Sequence, residues 1–344
     1  MNTDIVKIYP DEIDYAKILA AANILRSGGL VAFPTETVYG LGADATDKDA
    51  AQKIYAAKGR PSDNPLIIHV SSPEDAEKYA YTCPLYKKLA DAFMPGPLTV
   101  IMPKRSIVPD EVTGGLDSVA VRCPAHPVAR ALISAAGVAI AAPSANISGS
   151  PSPTCASHVI KDMQGRIDAI IDGGESEIGL ESTIVKIVGE KVVMLRPGAI
   201  TADALLCVCE EVEIADAVTK ALGENERPLS PGMKYRHYAP SAPLVLLDGQ
   251  ADAVGRFLCD AQSRENCAIL CYSEEKAILK NENIIDVGAR EDLATQAQRL
   301  FGALREADTL GCEIIYAHLP CAEGLGLALY NRLIRAAAHT VKKI

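Results

Sequence analysis

The chain has 344 residues, 49% of them hydrophobic and 23% charged; that composition is globular, and the length is too great for one ordinary core, so two domains are expected. Its net charge of −10 does not segregate: residues 1–205 hold 19 Lys and Arg against 24 Asp and Glu, and residues 206–344 hold 15 against 20, so each part carries −5. This argues against a protein held on nucleic acid by phosphate contacts, which needs a basic domain or stripe.

No apolar run approaches the ~20 residues of a membrane span. Met1-Asn2-Thr3-Asp4 leads into neither a basic nor an apolar leader segment, so no signal peptide is expected and the expected location is the cytoplasm. Ten cysteines are scattered without a Cys-x-x-Cys pair, the nearest being Cys207/Cys209 and Cys267/Cys271. That pattern suits reduced, mostly buried thiols better than zinc ligands or disulfides.

In chain order, Ile13, Ala16, Leu19, Ala20 and Ile24 recur at helical spacing and predict a helix from Asp11 to Ser27, stopped by Gly28-Gly29. Leu30-Val31-Ala32-Phe33 reads as a buried strand ending at Pro34. Thr35-Glu36-Thr37-Val38-Tyr39-Gly40-Leu41-Gly42 then sets hydroxyls and a carboxylate at the mouth of that strand, where the glycines would let backbone approach a ligand. A helix from Asp47 to Lys58 follows, capped by Asp47 or Thr46. Lys58-Gly59-Arg60-Pro61-Ser62-Asp63-Asn64-Pro65 places two cations, a serine and an amide on a stiffened loop before the strand Leu66–Val70. Standing alone, Lys58 and Arg60 would suit the helix dipole; beside the hydroxyl-rich stretch they suit phosphate.

Further helices are expected over Cys83–Phe93 and His126–Ala136, and strands over Leu98–Met102, Ser118–Arg122, Val138–Ala142 and Ala169–Asp172. Pro143-Ser144-Ala145-Asn146 opens a second hydroxyl-rich loop, which runs through Ser152 to Thr154. Leu180-Glu181-Ser182-Thr183-Ile184-Val185 leads into a strand paired by hairpin with Val192–Arg196, and a helix is expected from Thr201 to about Val218. From Gly223 to Pro243 the composition changes to polar residues with four prolines, including Ser230-Pro231-Gly232-Met233-Lys234-Tyr235-Arg236-His237-Tyr238. Beyond it, strands Leu244–Leu247, Ala268–Cys271, Ile284–Val287 and Ile314–His318 alternate with helices Ala251–Ser263, Asp292–Asp308 and Leu325–His339. That rhythm predicts a small parallel sheet. No Gly-x-Gly-x-x-Gly follows its first strand.

Together, Pro34–Gly42, Lys58–Leu66, Pro143–Asn146, Leu180–Thr183 and Ser230–Tyr238 resemble the L-threonylcarbamoyladenylate synthase family, in its longer form with a second domain behind a motif-bearing linker. The resemblance spans nearly the whole chain. It implies an α/β protein: an open, twisted mixed-sheet catalytic domain over residues 1–218, a motif-bearing linker over 219–242, and a small Rossmann-like parallel α/β domain over 243–344. It further implies a nucleotidyltransferase that joins L-threonine, bicarbonate or CO2, and ATP into threonylcarbamoyl-AMP with release of pyrophosphate. Other proteins would then use the product to modify the adenosine next to the anticodon of certain tRNAs.

By the same resemblance, Thr37, His69, Arg122 and Ser182, with the backbone near Ala142, match positions that hold L-threonine. Lys58, Arg60, Asn64, Ser118, Ser144, Ser152 and Arg196 match ATP-binding positions, and Tyr235 and His237 match a linker motif that reaches the ATP site. Lys58 and Arg60 are the expected catalytic residues, with Arg196 helping to neutralise phosphate oxygens. Mg2+ is expected on the ATP phosphates, with no metal ligand from protein side chains. The physical reading agrees: an amino acid needs a cation for its carboxylate, and the planar fork of an arginine suits it. Pro231, Gly232 and Pro240 restrict the linker, so it is expected to act as a lid anchored by the second domain. Two rivals share features with this reading. A carbamoyl-adenylate-forming enzyme of the hydrogenase-maturation type resembles the same first domain but normally adds cysteine-rich zinc segments, and an RNA-binding module would need a basic groove.

Overall fold

The computed structural model describes residues 2–219, 237–280 and 282–344. They divide into two units, one of residues 2–148, 152–177 and 181–219, the other of 149–151, 178–180 and the described residues from 237 on.

The first unit is built on strands β1 (Asp4–Lys7), β2 (Val31–Phe33), β3 (Gly40–Asp44), β4 (Ile67–His69), β5 (Leu98–Pro103), β6 (Ser118–Arg122), β7 (Ile140–Ala142), β8 (Ala169–Asp172), β9 (Thr183–Val188), β10 (Lys191–Arg196) and β11 (Val212–Ile214). They form one mixed sheet of 11 strands in the order β1-β8-β2-β3-β7-β4-β6-β5-β9-β10-β11. Its helices are α1 (Tyr15–Arg26), α2 (Lys48–Lys58), α3 (Pro84–Phe93), the one-turn α4 (Asp110–Thr113), α5 (Pro127–Ala136), α6 (Ala156–Met163) and α7 (Ala202–Leu206). The Asp14 carboxylate caps α1 by accepting from the amides of Ala16 and Lys17, and Asp47 caps α2 through Asp49 and Ala50. Gly59 ends α2 at φ +62°, a left-handed conformation that a side chain would strain.

Alternation along these short strands sorts the two faces of the sheet. Ala32, Ile68, Val100, Val121, Ala141, Ile170 and Val185 face one way, into the larger core. Val31, Phe33, Ile140, Ala142, Ala169 and Ile171 face the other way and are covered by α1 and α5, through Ile18, Leu25, Val128 and Leu132. On that same face, β4, β6, β5 and β9 carry a separate small cluster, Ile67, Ile101, Ala120 and Ile184 with Leu195.

Gly40 and Gly42 serve this packing. A Cβ on Gly42 would stand 2.9 Å from the Phe33 ring and 2.7 Å from Ile140 Cγ2. These glycines were expected to serve a ligand; their open sides are instead taken by Phe33 and, at Gly42, by Ile140 as well. The helix expected from Thr201 to Val218 is also corrected. It stops at Leu206, and Val212–Ile214 joins the sheet edge beside β10.

The second unit is a five-stranded, all-parallel sheet in the order β14-β13-β15-β12-β16, with β12 (Leu244–Asp248), β13 (Cys267–Cys271), β14 (Ile284–Asp286), β15 (Ile314–His318) and β16 (Val341–Lys343). Helices α8 (Ala251–Ala261), α9 (Leu293–Ala307) and α10 (Gly326–Ala336) connect them. The first four strands and the three helices match the expected rhythm; the short, exposed β16 was not foreseen. The linker residues 220–236, Tyr235 among them, lie outside the described residues. Among the described residues no helix is long and apolar enough to cross a membrane.

Candidate active site

Strand register places the polar groups of the first unit in one row. His69 on β4 pairs with Arg122 on β6, Arg122 with Thr99 on β5, and Thr99 with Ile184 on β9. A register shift between Met194 and Arg196 lets Arg196 on β10 pair with Ile184. Without that bulge Leu195 would take the position and Arg196 would turn toward the opposite face. His69, Arg122, Thr99 and Arg196 therefore share the face that carries Ile67, Ala120 and Ile101, spaced by the ~4.8 Å between neighbouring strands. Arg122, at the end of its strand, is buried.

The row is tied together at both ends. The Arg196 Nε donates to the Ser182 carbonyl at 3.1 Å and its Nη2 to Ser182 Oγ at 3.2 Å, while Ser182 Oγ lies 2.7 Å from Thr99 Oγ1. Arg122 Nη2 donates to Glu36 Oε1 at 2.6 Å, and its Nε donates to the Gly96 carbonyl at 3.3 Å. The His69 ring meets Phe33 edge-on at 6.0 Å, and its Nδ1 lies 3.2 Å from the Ile67 carbonyl. Burial, and then the Arg122 charge beside it, push the His69 imidazole down to about 3, so it is neutral at physiological pH.

The β2–β3 turn supplies acceptors. Thr35 Oγ1 donates to the Val38 carbonyl at 2.6 Å and lies 2.9 Å from Thr37 Oγ1. A hydroxyl has one proton, so Thr37 is the donor in the second contact, and its remaining lone pairs are left to accept. The Ser176 hydroxyl donates to the Thr35 carbonyl at 3.0 Å and steadies the turn.

The cationic loop and the second hydroxyl-rich loop meet through Lys58. Its buried ammonium donates to the carbonyls of Ser144 and Asn146, each at 2.5 Å. Ser144 bridges Gly40 across the strand gap, and its hydroxyl donates to Asn146 Oδ1 at 2.5 Å. Ser152 donates to Glu181 at 2.5 Å, beside Ser182. Arg60 Nη2 donates to the carbonyls of Asn64 and Pro65 at 3.0 and 2.9 Å, folding the loop on itself. The Asn64 side chain is buried, and its Oδ1 has no hydrogen-bond partner among the described residues. Such an orphan acceptor needs a reason, and a ligand donor is one.

The first unit thus brings Thr37, Lys58, Asn64, His69, Arg122, Ala142, Ser144, Ser152, Ser182 and Arg196 to one face and its flanking loops. Ala142 enters through backbone, paired with Ile67. Ser118 lies on the same face of β6 as Ala120 and Arg122, at the other end of the strand, opposite Pro103 and toward the start of β4, into which the Asn64-bearing loop leads. His237 belongs to the second unit, its ring 5.6 Å from that of Tyr238. Two residues went unassigned at the level of sequence: Glu36 and Thr99. Glu36 carried a signal, since a carboxylate among hydroxyls at a strand mouth demands a cation. Thr99 carried a weaker one, as the lone hydroxyl in Leu98–Met102.

Two family models match this chain: one described as "Telomere recombination" over residues 23–198, and one described as "Threonylcarbamoyl-AMP synthase, C-terminal domain" over residues 200–338. The chain is 44% identical to the threonylcarbamoyl-AMP synthase of Pyrococcus abyssi, over 97% of this chain and 98% of that protein. It is also 44% identical to that of Bacillus subtilis, over 94% of each. The crystal structure of P. abyssi Sua5 complexed with L-threonine matches with a TM-score of 0.93 at 43% identity, covering 99% of this chain and all of that one. With such likeness along nearly the full length of both chains, the protein belongs to the threonylcarbamoyl-AMP synthase family.

Proposed function

We propose that His69, Arg122 and Thr99 of the polar row, with Thr37 and Ser182, hold L-threonine, that Arg196 and the Lys58–Asn64 and Ser144–Ser152 loops bind ATP, and that the site joins both with bicarbonate or CO2 into threonylcarbamoyl-AMP, releasing pyrophosphate. The observation that carries this reading is the buried row His69, Arg122, Thr99 and Arg196 on an otherwise apolar sheet face. A buried arginine fork suits a carboxylate, and the Thr37 lone pairs suit the donors of an amino acid. The orphaned Asn64 Oδ1 suits a donor on the nucleotide.

In this reading the threonine amine adds to CO2 and gives up a proton, or condenses with bicarbonate and releases water, to form a carbamate. A carbamate oxygen attacks the α-phosphorus of ATP, and the bond to the pyrophosphate oxygen breaks. The protein contributes alignment and neutralisation, with Lys58, Arg60 and Arg196 near the phosphates. Mg2+ would travel on the ATP phosphates, as the family resemblance implies. His69 orients and packs; an imidazole this weakly basic takes no proton from an ammonium group. The domain limits, linker motif and Ser118 role implied by the family resemblance remain part of this proposal. So do transfer of the product to tRNA-modifying proteins and a cytoplasmic location; ten free thiols suit a reducing compartment.

The test is pyrophosphate release from ATP with each partner omitted in turn. The reading requires release that needs L-threonine and bicarbonate together. Release that persists without threonine would defeat it.

A further inference from the structure

Glu36 lies in the β2–β3 turn, among the hydroxyls at the mouth of the site, yet no role in binding or chemistry has been given to it. Its side chain is only 6% exposed and that of Arg122 only 5%. A carboxylate so far from water needs full compensation, and it has it from two directions. Arg122 Nη2 donates to Oε1 at 2.6 Å, and the Ala125 amide donates to Oε2 at 3.1 Å. Ala125 stands just ahead of α5, whose first turn favours a negative charge. Arg122 is held a second time, through Nε on the Gly96 carbonyl. Its Nη1 makes no hydrogen bond among the described residues.

We propose that Glu36 is a positioning residue that fixes the plane of the Arg122 guanidinium and turns its Nη1 edge toward the carboxylate of the amino-acid substrate. The inference rests on the reading of Arg122 as the carboxylate holder. An arginine side chain has four rotatable bonds, and a fork grips a planar carboxylate only when its own plane is set beforehand. Two anchors on the far side of the guanidinium, one to the β2–β3 turn and one to the Gly96 backbone, set that plane. The same pair cancels the charge of Arg122, so binding depends on fork geometry more than on net attraction. Threonine affinity should therefore respond to the length of the side chain at position 36 even when its charge is kept.

The experiment uses the full-length protein and steady-state pyrophosphate release, with KM measured separately for L-threonine and ATP. Glu36→Asp keeps the ion pair but draws the carboxylate back by one methylene. It should raise the threonine KM at least tenfold while the ATP KM stays within twofold. Glu36→Gln, which strands the guanidinium charge, should do the same or more wherever it remains folded. In an Arg122→Lys background, Glu36→Asp should change the threonine KM by no more than twofold, because the plane it sets is gone. Equal losses for both substrates, or effects that multiply independently in the double variant, would overturn the proposal. So would a threonine KM untouched in Glu36→Asp while Arg122→Lys raises it, an outcome that leaves the role of Arg122 standing. An unchanged threonine KM in Arg122→Lys would remove that role and the proposal with it. Loss of the cooperative melting transition in both Glu36 variants would mark a purely structural pair.

Discussion

A histidine whose imidazolium forms only near pH 3 has its charge state decided by burial, and at His69 that has a consequence for stability. The unfolded side chain titrates near 6.5 and the folded one at about 3, so between those values the unfolded state binds the additional proton. The contribution is fully present above pH 6.5 and is lost as the pH falls, at about 1.4 kcal/mol per unit. Urea unfolding of the native protein and of His69→Gln between pH 7.5 and 4.5 should show the native curve falling more steeply by about that slope. Parallel curves would mean that His69 is not held neutral. The acceptor geometry of Thr37 and the Arg196-bonded hydroxyl of Ser182 support a second expectation. Thr37→Val and Ser182→Ala should each weaken threonine by about 0.5–1.5 kcal/mol, with ATP unaffected, as calorimetric titration of both ligands would show. At this scale the residue types alone mark only the hydroxyl- and cation-bearing loops around Thr37, Lys58 and Ser144; the candidate roles of His69, Arg122, Ser182 and Arg196 come from the family resemblance, since a single polar residue in or beside a short strand carries no signal of its own. Glu36 and Thr99 were not placed, because their meaning comes from partners 86 and 83 residues away.

Elements were legible where one period dominated. Asp47 to Lys58 and Ser118 to Arg122 form where capping and alternation put them. Gly40–Asp44 is a strand that was not foreseen, since its two glycines face Phe33 and leave only Leu41 and Ala43 to mark the alternation. Residues 201–218 mislead in the other direction. Leu205 and Val208 suggest a helix, but Val212 and Ile214 alternate and find a pairing edge on β10 that only the assembled sheet provides. The turn after β10 yields a testable consequence. A Cβ on Gly198 would meet the Thr183 amide at 2.6 Å and the Glu181 carbonyl at 2.8 Å, both backbone atoms flanking Ser182. Gly198→Ala should therefore lower stability by about 1–3 kcal/mol and weaken threonine binding together, read by thermal melting and titration. Native-like melting with native affinity would show that the turn moves aside freely.

On the scale of the whole molecule, the second unit was the easier to foresee. Its strands and helices alternate, and alternation of that kind builds a parallel sheet. The first unit was foreseeable as α/β but not in its strand order, since β4 lies beside β6 and β7, and β5 beside β9, across long separations in sequence. That order lines up His69, Arg122, Thr99 and Arg196, so the row is a property of the assembled sheet and of no single motif. The central claim is that this row and its loops build one mixed anhydride from three substrates. The most direct measurement is mass spectrometry of the nucleotide product formed by the full-length protein from ATP, L-threonine and 13C-bicarbonate. The account predicts an adenylate that contains one threonine and one 13C atom, formed in step with pyrophosphate. AMP joined to threonine without the label, or ADP and phosphate in place of pyrophosphate, would contradict it.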